Sequence, residues 1–69
     1  MQLSKREKDV LKYISLPVET IAKRMYLSKA TIMTHITRLR QKLQANSSRM
    51  VLAQALKHNL ITVEELVTE

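Results

Sequence analysis

Two histidines, His35 and His58, are the side chains of this sequence best suited to acid–base or metal chemistry. No carboxylate stands near either at a metal-ligand spacing, and the chain has no cysteine, which excludes zinc fingers, disulfide scaffolds and thiol nucleophiles. We therefore expect no catalytic residue and no metal site, and we expect His35 to serve packing or to lie beside a bound phosphate.

Glycine is also absent from the 69 residues. Phosphate-cradling loops, dinucleotide-binding turns, nucleophile elbows and EF-hand loops all need glycine where the backbone approaches a ligand or takes a positive φ. The sequence therefore predicts no cofactor, no small-molecule substrate and no enzyme activity, which favours a helical binding module.

Lysine and arginine are the most numerous side chains of this sequence that share one charge. The chain carries 12 of them against 6 acidic residues, a net charge of +6, and no acidic residue lies between Glu19 and Glu64. A basic block of this length indicates a polyanionic partner, although a solvated surface is the plainer alternative. The residues from 62 to 69 form a short acidic tail. The basic residues of the block are Lys23, Arg24, Lys29, Arg38, Arg40, Lys42, Arg49 and Lys57.

The apolar spacing that must position these residues is helical throughout, so we expect an all-α fold in one domain over residues 1–69. Helices are predicted over 5–15, 17–25, 29–44 and 48–58, with a short helix over 63–67. Start signals support them: a capping box from Ser4 to Glu7, Pro17 in a first turn, Ser28 as an N-cap, and Ser47 or Ser48 as another. The two tyrosines, Tyr13 and Tyr26, are expected at the edge of the core.

The predicted third helix has an apolar back and a polar front. Ile32, Ile36 and Leu39 recur at helical spacing with Leu43, and the flanks are basic. A short second helix, a tight turn and this longer helix make a helix-turn-helix arrangement, in which the longer helix suits the major groove of DNA. The polar front comprises Ala30, Thr34, Thr37, Arg38 and Gln41.

No apolar run is long enough for a membrane span, and no apolar segment follows the basic N-terminus as in a signal peptide. We therefore expect a cytoplasmic protein without a membrane partner. A membrane-active helical peptide is the alternative, and four separately capped segments argue against it.

Several segments, in order, resemble the LuxR/GerE-type DNA-binding domain. They are residues 3–11 (LSKREKDVL), 21–25 (IAKRM), 27–32 (LSKATI), His35, 42–43 (KL), 55–56 (AL) and 60–61 (LI). The resemblance implies a four-helix fold. The third helix of this fold contacts double-stranded DNA, and the fourth helix forms a homodimer. It also implies a location in the cytoplasm of a bacterium, in a bacterial or phage protein.

The resemblance also assigns roles to individual residues. The base-facing positions fall on Met33, Thr34 and Thr37, and Arg38 of the polar front joins them. Threonine and methionine there favour contact with thymine methyl groups over guanine readout. Phosphate contacts are implied for Ser28, Lys29, Thr31, Arg40 and Lys42, and dimer contacts for Met50, Ala53, Gln54 and Lys57.

Relative to the family, glycine is replaced by Gln44 after the third helix and by Asn59 after the fourth, and the first loop is shorter. Asparagine tolerates positive φ best after glycine, and Asn46 and Asn59 stand at the ends of the third and fourth helices. At least Asn59 is therefore predicted to be left-handed.

The function predicted is sequence-specific or semi-specific DNA binding by a small transcription regulator. The alternative is a protein-interaction module that contacts RNA polymerase, as sigma-factor region 4 does, or that blocks a LuxR-type regulator. Whether the chain is a whole protein or the output domain of a larger regulator stays open.

Overall fold

The computed structural model describes residues 3–67, which fold into four α-helices and one short 3-10 turn. The helices are α1 (Lys5–Lys12), α2 (Val18–Met25), α3 (Lys29–Lys42) and α4 (Ser48–Lys57), and the 3-10 turn is Val63–Glu65. No strand occurs within residues 3–67, so the all-α prediction is confirmed.

The predicted helix bounds were too generous. The first helix ends at Lys12 instead of residue 15, the third at Lys42 instead of 44, and the fourth at Lys57 instead of 58. After Lys12 the chain tightens, because Ile14 N–H bonds to the Leu11 carbonyl and Leu16 N–H to that of Tyr13. The second helix begins at 18, since Pro17 has an extended ψ of 149°. The predicted helix over 63–67 is a 3-10 turn over 63–65.

Serine hydroxyl groups cap three helix N-termini, as predicted. Ser4 Oγ accepts from Glu7 N–H at 3.1 Å while Glu7 Oε1 accepts from Ser4 N–H at 2.9 Å, which completes the capping box. Ser28 Oγ accepts from Thr31 N–H at 3.1 Å. Ser47, not Ser48, caps α4. These bonds fix where each of the three helices starts.

Three helices end in the same backbone motif around a left-handed residue. Tyr26, Gln44 and Asn59 have φ of 56°, 52° and 58°. In each case the next N–H reaches the carbonyl five residues back, as Ala45 N–H does to Arg40 at 2.8 Å. The prediction for Asn59 is confirmed. Left-handed backbone costs about 1–2 kcal/mol for a residue with a Cβ atom, and asparagine tolerates it best.

The core is built around α3, which packs against α1, α2 and α4. The predicted apolar back of α3 is buried throughout. Tyr13 packs against this core as expected, whereas the expectation for Tyr26 was wrong: its side chain is 94% exposed. The reason is the left-handed turn, because Leu27, the residue after it, takes the place against the core. The core of α3 comprises Ile32, Ile36, Leu39 and Leu43.

A salt bridge joins α1 to the far end of α3. Lys42 Nζ lies 2.6 Å from Oε1 of Glu7, whose residue is only 3% exposed. Burial raises the pKa of Glu7, but the hydrogen bonds from Lys42 and Ser4 outweigh it and hold the pKa below its ordinary value. Glu7 therefore caps α1 and pins α3 with one carboxylate.

The segment after α4 returns to α1. Ile61 is buried, Leu66 and Val67 pack against the core, and Val67 N–H bonds to the Lys12 carbonyl at 2.9 Å. Of the predicted acidic tail, Glu64 and Glu65 are exposed, and Glu69 lies outside the described residues. None of the helices within residues 3–67 has the length and hydropathy to cross a membrane.

Candidate nucleic-acid interface

The connection between α2 and α3 is a tight and well-fixed turn. After Met25 ends α2, Tyr26 turns the chain with its left-handed backbone, and Leu27 packs against the core. Leu27 N–H bonds back to the Ala22 carbonyl at 3.0 Å, and Ser28 then caps α3. This is a helix-turn-helix arrangement, in which the start of α3 is fixed relative to α2.

The predicted base-facing residues are all exposed on α3: Thr34, Thr37 and Arg38 lie on its front, and Met33 is adjacent in sequence. Met33 is 44% exposed, and Thr34, Thr37 and Arg38 are also exposed. Thr34 Oγ1 donates to the Ala30 carbonyl at 3.0 Å, so this hydroxyl is left to accept hydrogen bonds. Fourteen helical residues span about 21 Å, enough to lie along a major groove about 12 Å wide.

The predicted phosphate-contacting residues separate into two groups. Ser28, Lys29 and Thr31 cluster at the N-terminus of α3, where the Ser28 and Thr31 hydroxyl oxygens are 2.9 Å apart. Lys29 Nζ lies 3.3 Å from Glu19 Oε1 on α2, and both side chains are largely exposed. An exposed pair of this kind is weak and opens readily to another anion.

The second group lies near the C-terminal end of α3 and is partly used by the fold. Arg40 is half-buried, and its Nε atom is buried without a hydrogen-bond partner among the described residues. Lys42 is engaged with Glu7. This pair is not evident from the sequence, because the two residues are 35 positions apart and belong to different helices. His35 is half-buried beside the front. Its Nδ1 atom is also buried without a hydrogen-bond partner among the described residues.

Two basic residues outside the predicted site complete the electrostatic surface. Lys23 and Arg24 occupy the last turn of α2, are exposed, and precede the turn that leads into α3. They belong to the basic block of the sequence, and only the position of the turn shows that they flank the candidate interface. Together with the absence of acidic residues from α3, they give this side of the molecule a positive potential.

The four residues predicted for a dimer contact lie along one side of α4. Met50 is 39% exposed, and Ala53 and Lys57 are also exposed, whereas Gln54 is half-buried. The backbone N–H of Asn46 donates to Met50 Sδ at 3.4 Å, which holds that side chain at the start of the helix. The apolar part of this surface is small.

Residues 3–67 contain no group of three or more histidine, aspartate or glutamate side chains that could hold a metal ion. The exposed front of α3 presents the hydroxyl groups of Thr34 and Thr37 and the guanidinium group of Arg38.

Comparison with known proteins matches residues 1–56 to the family model GerE, described as bacterial regulatory proteins of the luxR family. No curated protein sequence and no solved structure gives a significant match.

Proposed function

The chain belongs to the luxR family of bacterial regulatory proteins, and from this we propose that it binds double-stranded DNA as a transcription regulator, with α3 in the major groove. The observation that carries the proposal is the exposed front of α3. It has no acidic side chain, it is long enough for the groove, and basic residues flank it.

We propose that contacts to the DNA backbone dominate the affinity. Ser28, Thr31 and Lys29 form one phosphate-binding group at the start of α3, and Arg40 with Lys42 forms the other. Hydroxyl, ammonium and guanidinium groups commonly bind phosphate oxygens and set the position of a protein on the duplex. Lys42 would bind phosphate while it stays close to Glu7.

We propose that the four predicted base-facing residues recognise the bases. Met33, Thr34 and Thr37 offer methyl groups to thymine, and Arg38 offers the bidentate donors that guanine accepts. One arginine beside one methionine and two threonines supports modest discrimination, so we propose semi-specific binding. A homodimer through α4 would place two such helices on two half-sites and raise the specificity.

A titration of fluorescent duplex DNA, followed by anisotropy at several salt concentrations, tests the proposal. We expect binding at low salt. The logarithm of the association constant should fall linearly with the logarithm of the salt concentration. Lys29→Gln, which removes an exposed cation of the proposed phosphate-binding group, should reduce that slope by about one. Lys8→Gln on α1 is the matched control, because Lys8 is exposed beside Asn59 and Leu60, which follow α4, and its loss should leave the slope unchanged. Absence of binding at low salt would overturn the proposal.

Contact with a protein is the second candidate, favoured by the exposed apolar atoms of Met50 and Ala53 on α4. The partner would be RNA polymerase or a LuxR-type regulator. Retention of purified RNA polymerase or such a regulator by the immobilised chain after nuclease treatment would support this function. Loss of retention with the nucleic acid would favour DNA binding.

A further inference from the structure

Tyr26 occupies a position where the fold has no use for its side chain. The ring is 94% exposed, so it adds nothing to the core, and the backbone is held at φ 56° and ψ 41°. Glycine or asparagine would adopt this conformation with less strain. Asn59 occupies the equivalent position after α4, as expected on those grounds. A strained and exposed aromatic residue points to a contact outside the chain.

The backbone that carries Tyr26 is fixed on both sides. Tyr26 N–H bonds to the Lys23 carbonyl at 3.4 Å, and Leu27 packs against the core. Two residues later, Ser28 caps α3. A tyrosine side chain has two rotatable bonds, so little freedom is lost when its hydroxyl is bound from so rigid a position.

The charges around the turn identify the partner as an anion. Exposed Lys23 and Arg24 precede Tyr26, and Lys29 follows it. The carboxylate of Glu19 lies beside Lys29 and pairs with it. Tyrosine hydroxyl groups are established donors to phosphate oxygens in protein–DNA complexes.

We propose that Tyr26 donates its phenolic O–H to a phosphate of double-stranded DNA beside the groove that α3 enters. This contact rests on the proposed function and adds a residue to it. It carries no sequence information; it fixes the register of α3 on the duplex. The turn thus contributes a neutral hydrogen-bond donor between two groups of basic residues.

The test compares Tyr26→Asn and Tyr26→Phe with the unaltered chain in duplex titrations. Asparagine keeps the left-handed backbone and removes the ring, whereas phenylalanine keeps the ring and removes the hydroxyl. Both should weaken binding about tenfold, the value of one hydrogen bond to a charged group, and equally on all duplexes. The slope of affinity against salt should not change, because a neutral donor releases no counterion.

Gln44→Asn is the matched control, since Gln44 is an exposed left-handed residue at the other end of α3. Its duplex affinity should stay within about twofold of the unaltered chain, the spread expected of a neutral surface substitution. Undiminished binding by Tyr26→Asn, while the unaltered chain binds, would overturn the contact alone. Loss of binding to RNA polymerase with unchanged duplex affinity would overturn it in favour of a protein contact. Absence of duplex binding by the unaltered chain would overturn the proposed function and this contact with it.

Discussion

Gln44 takes a left-handed backbone between two buried neighbours, Leu43 and Ala45. Its own side chain is exposed, so the residue adds nothing to the core, and its backbone turns the chain after α3. The turn after α3 is therefore specified by the apolar residues on either side. The backbone of Gln44 is strained, because its Cβ atom comes close to the following carbonyl oxygen in the left-handed conformation.

We predict that Gln44→Gly stabilises the protein. Removal of the Cβ atom relieves about 1 kcal/mol of strain, and the added freedom of the unfolded chain offsets part of it, which leaves about 0.5 kcal/mol. Urea unfolding measures the difference. Ala53→Gly, at an exposed position in the middle of α4, should instead destabilise by about 1 kcal/mol. Equal losses in both variants would contradict the prediction.

The sequence predicted one of the three left-handed residues and could not have predicted the others by residue type. Asn59 was identifiable because asparagine tolerates this conformation. Tyr26 and Gln44 carry no such preference. Their position depends on the apolar residue that follows, Leu27 or Ala45, which must reach the core. That pattern, an apolar residue directly after the end of a helix, is the signal available in a sequence.

At the scale of the elements, α2 and α3 share an ion pair at the candidate interface. Glu19 lies beside Lys29, a proposed phosphate contact. In the proposed complex, a DNA phosphate and the Glu19 carboxylate would compete for the same ammonium group. Glu19 is therefore expected to lower the affinity for every duplex.

We predict that Glu19→Gln strengthens DNA binding about three- to fivefold, in line with the energy of an exposed pair. A double-mutant cycle with Lys29→Gln checks the cause in the anisotropy titration. If Glu19 acts through Lys29, most of the gain should disappear in the Lys29→Gln background. A gain that persists in that background would show that Glu19 repels the DNA directly and does not act through Lys29.

The exposed side of α4 leads to a prediction about assembly. Met50→Glu places a charge in the proposed dimer contact and should convert a complex of two chains on one duplex into a complex of one chain. Val63→Glu is the matched control, because Val63 is also apolar and is 67% exposed outside α4. Sedimentation of each variant with a two-half-site duplex measures the stoichiometry. Two chains bound by Met50→Glu would exclude this contact.

The sequence located the helices well and their ends poorly. Capping serines and apolar spacing placed α1 to α4, because both signals are local. The helix ends depend on tertiary contacts: α1 stops where the chain tightens ahead of Pro17, and α3 stops where Ala45 becomes buried. The exposed front of α3 followed from its apolar back. The partner of Lys42 did not, because that pairing requires the packing of α1 on α3.

At the scale of the whole molecule, two carboxylates connect stability to pH. Glu7 is held ionised by Lys42 and Ser4 against its burial, and the pKa of Glu65 is lowered by its hydrogen bonds from Thr62. A lowered pKa in the folded state adds stability above the ordinary glutamate pKa, and this stability disappears as pH falls through the folded value. With a net charge of +6 at neutral pH, acid also adds repulsion.

We predict that unfolding free energy falls as pH drops below about 4.3, the ordinary pKa of glutamate. Glu7→Gln should be less stable than the unaltered chain by about 1–2 kcal/mol at neutral pH, discounted for the exposure of Lys42, and the difference should shrink in acid. Urea unfolding from pH 7 to 3 measures it. Glu64→Gln, with the same charge change on an exposed residue, should show little loss at pH 7. A pH-independent difference for Glu7→Gln would contradict the assignment.

The attachment of α3 at both ends has a consequence for the DNA. Ser28 and the turn before it fix one end, and the Glu7–Lys42 pair fixes the other, with Leu39 fully buried between them. A helix that is anchored in this way resists bending, so it adapts little to the curvature of a groove. In the proposed complex, the duplex would therefore supply most of the adjustment. We expect part of the sequence preference to arise from base steps that deform easily, at positions that no side chain of α3 touches.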